Sequence, residues 1–243
     1  SSFPSPSDSL DSQGVKWQRL QDGFYIRSTK SADLKTIVSS LKVDTKSKNK
    51  FGALSGTDLF NTNPVEAMAV VAEIRRRLAD PALGDHSIGV VTMNENQKRL
   101  IDLLLDEVDD TKLQEARNSQ STKDYLFVRA LEKVQGDERD VILMSVGFSR
   151  DASGRVPLNF GPLSRVGGER RLNVAVTRAR QQVIVFCSFE PEDLNLKETS
   201  SQGMRDLRDY LILAKLGPRA MGLANGTRSR GFDRHRHDVA RAL

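Results

Sequence analysis

Four arginines fall within the thirteen residues Gly168-Glu169-Arg170-Arg171-Leu172-Asn173-Val174-Ala175-Val176-Thr177-Arg178-Ala179-Arg180, which run on towards the apolar Val183-Ile184-Val185-Phe186-Cys187. At helical spacing Leu172, Ala175, Val176 and Ala179 share one apolar face. Arg170, Asn173, Thr177 and Arg180 form a polar stripe, and Arg171 and Arg178 share a third flank. A guanidinium is a rigid fork of donors that stays charged, so a helix that buries one side and aims arginines from the other is suited to holding phosphate oxygens. A plain solvated basic face is the alternative reading of the same residues.

The chain that positions this stretch has 243 residues, enough for one large domain, but its 38% hydrophobic content predicts that part of the length lies outside any core. Its net charge of +5 suits an anionic partner such as nucleic acid or a nucleotide. One cysteine, Cys187, excludes an intramolecular disulfide and a paired-cysteine metal site, and its place at the end of an apolar run predicts a small buried hydrophobe. No apolar run reaches the roughly 18 residues needed to span a bilayer, and no signal-peptide core opens the chain. These features point to an intracellular, cytoplasmic protein.

Residues 1–14 are rich in Ser, Pro and Asp and read as a loop or the end of a preceding domain. Val15 to Arg27 predicts one or two short strands around the turn Gln21-Asp22-Gly23. From about 28 to 60 lysine, serine and threonine dominate; Leu34, Ile37, Val38 and Leu41 could form one short helix, and Lys42 to Lys50 reads as a mobile insertion. Asn63-Pro64 is a helix start, with Glu66 in the first turn to complement the dipole, and the helix ends near Ala79 before Pro81 and Gly84. Ser87 to Met93 suits a buried parallel strand, and Asn94 caps a helix from Glu95 to Val108. After a polar connection with a partial turn of helix (109–124), Tyr125 to Val128 and Val141 to Phe148 predict two more strands. A Gly/Pro-rich loop then leads into the arginine stretch and the strand Val183 to Phe186, and a last helix spans Gly203 to Leu216. Strands alternating with helices argue for a parallel sheet flanked by helices, a RecA-like α/β domain.

Three of these stretches, in order, resemble the C-terminal half of superfamily 1 helicases of the Upf-like branch. Ile88-Gly89-Val90-Val91-Thr92 through Gln97 is similar to motif IV, Val134-Gln135-Gly136-Asp137-Glu138-Arg139-Asp140-Val141-Ile142 to motif V, and Arg170 through Arg180 to motif VI. The resemblance covers Val15 to Leu216, and motif VI is its most specific part. It implies a second RecA-like motor domain, of the P-loop NTPase type but without the phosphate loop, interrupted by the polar insertion at about 28–60. Arg178 would be the arginine finger that stabilises charge on the γ-phosphoryl group of ATP when two domains close. Arg171 and Arg180 would be supporting phosphate contacts or interdomain ion pairs. Glu138 would contact the ribose or orient the γ-phosphate region, and Gln135 and Gly136 would let the backbone approach the nucleotide. Thr92, Asn94 and Gln97 would face the nucleic acid track beyond the strand ends, although Asn94 reads equally well as a plain helix cap.

Family members also need a Gly-x-x-x-x-Gly-Lys-Ser/Thr loop and an acidic motif for Mg2+. Neither is in this chain, because Leu54-Ser55-Gly56-Thr57 lacks both the lysine and the spacing. The resemblance therefore implies that ATP with Mg2+ is bound mainly by a first RecA-like domain preceding Ser1, and that this fragment is inactive alone. Residues 217–243 form an Arg/Gly-rich linker, and from Gly231 they are similar to the opening helix of a restriction-endonuclease-like domain. Asp233, His235, His237 and Asp238 there could be metal ligands, with a solvated polar helix start favoured. The partner expected is nucleic acid, DNA before RNA. The competing reading is a noncatalytic nucleic-acid-binding or scaffold domain that has kept the fold without turnover.

Overall fold

The computed structural model describes residues 15–19 (backbone), 61–118, 125–134, 136–151 and 153–216. The expected turn at 21–23, the short helix and lysine-rich insertion within 28–60, Gln135 and the tail 217–243 lie outside the described residues. Five strands, β1 (Val15–Arg19), β2 (Ile88–Thr92), β3 (Leu126–Ala130), β4 (Arg139–Ser145) and β5 (Ala179–Cys187), form one sheet in the order β1-β5-β4-β2-β3. Every neighbouring pair is parallel. Helices α1 (Pro64–Ala79), α2 (Glu95–Glu107) and α3 (Thr111–Asn118) contribute Val70, Ile74, Leu100, Ile101 and Leu113 to a core on one face, against Ile88, Val90, Val141 and Leu143. On the other face α4 (Gly168–Val176) and α5 (Gln202–Leu216) bring Leu172, Ala175, Leu207 and Leu211 onto Val91, Ile142, Met144 and Val185. This is the α/β, RecA-like parallel sheet flanked by helices that the sequence predicts. Burial on both faces explains why the strands read as unbroken apolar runs rather than alternating ones.

Local chemistry sets the helix starts. The Asn63 side chain accepts from the Glu66 amide at 3.2 Å with Pro64 in the first turn, and Asn94 accepts from the Gln97 amide at 2.8 Å. The connection after Glu107 holds two turns of helix, α3, where the sequence suggested part of one. The largest correction concerns the arginine stretch. Its helix stops at Val176 instead of running through Arg180. The Thr177 amide and hydroxyl both donate back to the Asn173 carbonyl, at 3.1 and 2.9 Å, and Ala179 already pairs with Arg139 as the first residue of β5. A helix continued to Arg180 would leave the amino half of β4 without that ladder, so sheet pairing overrides local helix propensity.

A close approach fixes the two helices of the second face. A Cβ on Gly168 would stand 2.0 Å from the Leu163 carbonyl oxygen, and one on Gly203 2.3 Å from the same atom. The starts of α4 and α5 thus share one backbone oxygen, which cannot give way as a side chain would. Gly168→Ala should destabilise the domain by about 2 kcal/mol or more, visible as a drop in Tm of several degrees. An unchanged Tm would show that the turn before α4 yields freely.

Candidate functional site

The parallel sheet has two functional edges, and the arginines meet at the amino edge. There Glu138 precedes β4 and Arg178 precedes β5. One Glu138 carboxylate oxygen lies 3.7 Å from Nη1 of Arg178, and the other lies 3.7 Å from Nε of Arg180. Arg178 is further held by its Nε donating to the Val174 carbonyl at 3.1 Å, which folds the side chain back over the last turn of α4. The Arg178 side chain is 20% exposed and that of Glu138 52%, so the pair faces outward without being loose.

The ladder explains how two arginines two residues apart reach one carboxylate. Arg139 pairs with Ala179, but Val141 pairs with Gln182, so Arg180 and Gln181 together oppose Asp140. A bulge of this kind bends the strand and re-aims its side chains. Arg180 accordingly turns towards β4, with Nη1 3.9 Å from Oδ1 of Asp140. The Asp140 carboxylate accepts from the Ser87 amide at 2.9 Å and from its hydroxyl at 2.7 Å. Burial acts to raise the Asp140 pKa, but those hydrogen bonds and the nearby Arg180 and His86 outweigh it and hold the group below its usual value. Asp140 therefore stays charged and anchored from behind, while Glu138 is the more exposed partner of both guanidiniums.

The other residues singled out in motifs V and VI divide. Gly136 is exposed in the turn before β4 with φ of +90°, the left-handed conformation that a glycine adopts without strain. Arg171 is not brought to the cluster. It lies within α4, whereas Arg178 lies beyond the helix end, and it donates to the Pro162 carbonyl at 3.2 Å, tying α4 to the loop before it. Arg139, which the sequence offers only as part of a polar turn, is 8% exposed, with its guanidinium carbon 4.7 Å from the Phe127 ring centroid.

At the carboxyl edge, roughly 20 Å away along β4, Thr92, Asn94 and Gln97 are committed to holding the fold. Thr92 is fully buried and donates its hydroxyl to the Asn94 carbonyl at 2.8 Å. Asn94 caps α2 and donates to the Asn61 carbonyl at 3.0 Å. Gln97 is fully buried; its carbonyl accepts from the Asn63 amide at 2.7 Å while its NH2 donates to the Asn63 carbonyl at 3.0 Å and to Ser145 at 3.1 Å.

Beside Gln97 stands a group the sequence reading took for a dipole partner. Glu66 is fully buried, with the Ser145 hydroxyl at 2.9 Å and the Gly147 amide at 2.6 Å on one oxygen, and Asn63 and Ser188 at 3.2 Å each on the other. Desolvation raises its pKa to about 8 even though all these donors favour the charged form. The available signal was a serine closing each of two apolar runs, Ser145 after Met144 and Ser188 after Cys187. Gly147 is required here: its φ is +73°, and a Cβ would lie 3.1 Å from the Gln97 Cγ. Among the described residues, then, Thr92 and Gln97 at the carboxyl edge are buried, whereas Glu138, Arg178 and Arg180 at the amino edge are partly exposed.

Comparison with known proteins agrees with this architecture. A family profile of AAA domains (AAA_12) matches residues 13–190, which include every strand and the whole arginine cluster. An uncharacterized ATP-dependent helicase of Mycoplasma genitalium is 36% identical over 210 residues, 85% of this chain and 17% of that protein. Its Mycoplasma pneumoniae homolog is 39% identical over 155 residues, 63% of this chain and 13% of the other. A DNA replication ATP-dependent helicase/nuclease of Arabidopsis thaliana is 28% identical over 126 residues, 52% of this chain and 8% of that one. The chain therefore spans less than a fifth of the relatives it matches. With the family profile covering the sheet and the arginine cluster at its amino edge, this chain belongs to the AAA domain family and is a superfamily 1 helicase-related protein.

Proposed function

We propose that the chain is the second motor domain of an ATP-dependent helicase or translocase, closing over a nucleotide held mainly by a separate RecA-like domain of the same protein. The observation that carries this reading is the pairing of Arg178 and Arg180 on the single carboxylate of Glu138 at the amino edge. Exposed ion pairs at 3.7 Å contribute about 1 kcal/mol or less each, so a polyphosphate can displace Glu138 from both guanidiniums. ATP, with Mg2+, supplies a γ-phosphoryl group on which negative charge builds during hydrolysis.

Arg178 turns its fork onto that charge when the domains close, and Arg180, held by Asp140, adds a second positive centre. Glu138, released from the arginines, is free to accept from a ribose hydroxyl. Gly136 lies in the turn whose backbone approaches the nucleotide, and Gln135 is assigned to the same contact. Arg171 supports the site through α4 and the loop it anchors. The first domain provides the phosphate loop and the Mg2+ ligands, so this part alone has no turnover. Thr92 and Gln97 are buried, so nucleic acid contact is assigned to other residues of the closed motor, with Asn94 at the margin. The name of the Arabidopsis relative supports DNA as the polymer and a nuclease-like domain beyond the motor.

The test uses the whole natural protein with single-stranded DNA and RNA oligonucleotides. ATP hydrolysis should be present, and stimulated severalfold or more by DNA. A protein that binds oligonucleotide with no ATP turnover at all is a noncatalytic binding domain, and the motor reading then fails.

A further inference from the structure

Arg139 is the residue of motif V that nothing so far accounts for, and its surroundings are built by three strands. Gly89 in β2 pairs with Phe127 in β3, and a Cβ on Gly89 would lie 2.5 Å from the Phe127 ring. The missing side chain lets the Phe127 ring lie across β2. The Arg139 guanidinium packs on that ring at 4.7 Å and donates to the Glu138 carbonyl at 2.7 Å. In addition, the Arg139 amide donates to the Arg178 carbonyl at 3.0 Å. One residue thus grips the backbone of both halves of the cluster, Glu138 by its side chain and Arg178 by its main chain.

Burying a guanidinium is a costly way to fill space, because the charge must leave water. A methionine would occupy the same volume on the ring without that cost. What a methionine lacks is the donor that fixes the Glu138 carbonyl. The register shift that follows Arg139 sharpens the need: Arg180 and Gln181 together oppose Asp140, so the cluster sits where the ladder is irregular.

We infer that Arg139 is a positioning residue: its buried guanidinium, resting on Phe127, fixes the Glu138 carbonyl while its main chain holds Arg178, so the cluster keeps the separation from which both engage the nucleotide. This rests on the proposed nucleotide-facing role of the cluster. Displacing catalytic groups by about 1 Å can cost about 10²-fold in rate. The effect belongs on kcat, since the Arg139 side chain is buried against Phe127.

The experiment compares Arg139→Met, Arg139→Lys and Arg178→Ala in the whole protein, reading kcat and KM for ATP hydrolysis alongside Tm. Arg139→Met should lower kcat about 10²-fold with KM changed less than threefold. Arg139→Lys, which keeps a cationic donor over the ring, should recover most of the loss. Should Arg139→Met fail to fold, Phe127→Leu removes the ring and leaves the guanidinium, and it should give a smaller drop in kcat at unchanged KM. A kcat within twofold of wild type in Arg139→Met, or in Phe127→Leu if that variant stands in, with Arg178→Ala inactive, overturns the positioning role alone. So does a loss that follows the folded fraction and that lysine does not rescue. If Arg178→Ala itself retains turnover, the nucleotide-facing reading falls, and the inference with it.

Discussion

Arg178→Ala in the whole protein should cut ATP turnover by about 10³-fold or more, the loss expected when a finger arginine is removed from a phosphoryl-transfer site. The fold should survive. Arg178 lies in the turn between α4 and β5, and its side chain makes a bond to the Val174 carbonyl and an outward ion pair with Glu138, neither of them in the core. A partly exposed pair of this kind contributes about 1 kcal/mol or less, so Tm should move only slightly. Nucleotide affinity should be nearly preserved, because the arginine adds its stabilisation as charge develops rather than in the ground state. Arg178→Lys keeps the charge and loses the two-pronged geometry, and should recover little. Steady-state hydrolysis with a parallel nucleotide-binding titration checks all of this. Unchanged turnover in the alanine variant rejects the finger role.

Glu66→Ala should cost the domain on the order of 3–5 kcal/mol, with no effect on the chemistry at the other edge. The loss comes from what is left behind: the hydroxyls of Ser145 and Ser188, the Asn63 NH2 and the Gly147 amide all aim at an acceptor that is gone. The same carboxyl makes a pH prediction with a definite sign. Its pKa in the folded chain is raised to about 8 from an ordinary 4.5, so between those values the folded state holds a proton that the unfolded state has released. Its contribution is complete below about pH 4.5 and is lost as pH rises through about 8. The Ser145 and Ser188 hydroxyls can turn from donor to acceptor, so the site accommodates either form. Thermal unfolding should therefore show Tm falling from pH 5 to pH 8.5, with a flatter profile in Glu66→Gln. Parallel profiles for the two proteins would remove Glu66 as the source.

Which parts of this were legible in the sequence depends on how far apart the cooperating residues are. Asn63-Pro64 and Asn94 announce α1 and α2 because a cap is made within three residues of itself. The unbroken runs Ile88 to Thr92 and Val141 to Ser145 announce buried parallel strands for the same local reason. Glu138, Arg178 and Arg180 were singled out by motif, and the structure brings those three together. Their secondary structure was not legible: the pattern from Leu172 to Ala179 fits a helix, and only the ladder with Arg139, forty residues earlier in the chain, turns its end into a strand. Glu66 and Gln97 were misjudged in the same way. Glu66 looked like a dipole partner in a first helical turn and Gln97 like a residue facing the nucleic acid track, and each is buried by partners more than thirty residues away that no spacing rule reveals. Arg139 hid because its burial depends on a missing side chain at Gly89 in another strand.

The place of β1 in the sheet carries a consequence for how such a chain matures. Val15 pairs with Val183, so β1, the earliest of the described strands, finds its neighbour only after the other described strands have left the ribosome. Closing so long a loop is entropically uphill until β5 already stands beside β4. Until then one flank of β5 exposes unpaired amides and carbonyls, and an extended segment of another chain could add there. During synthesis that flank of β5 stays exposed from the emergence of Cys187 until β1 pairs with it.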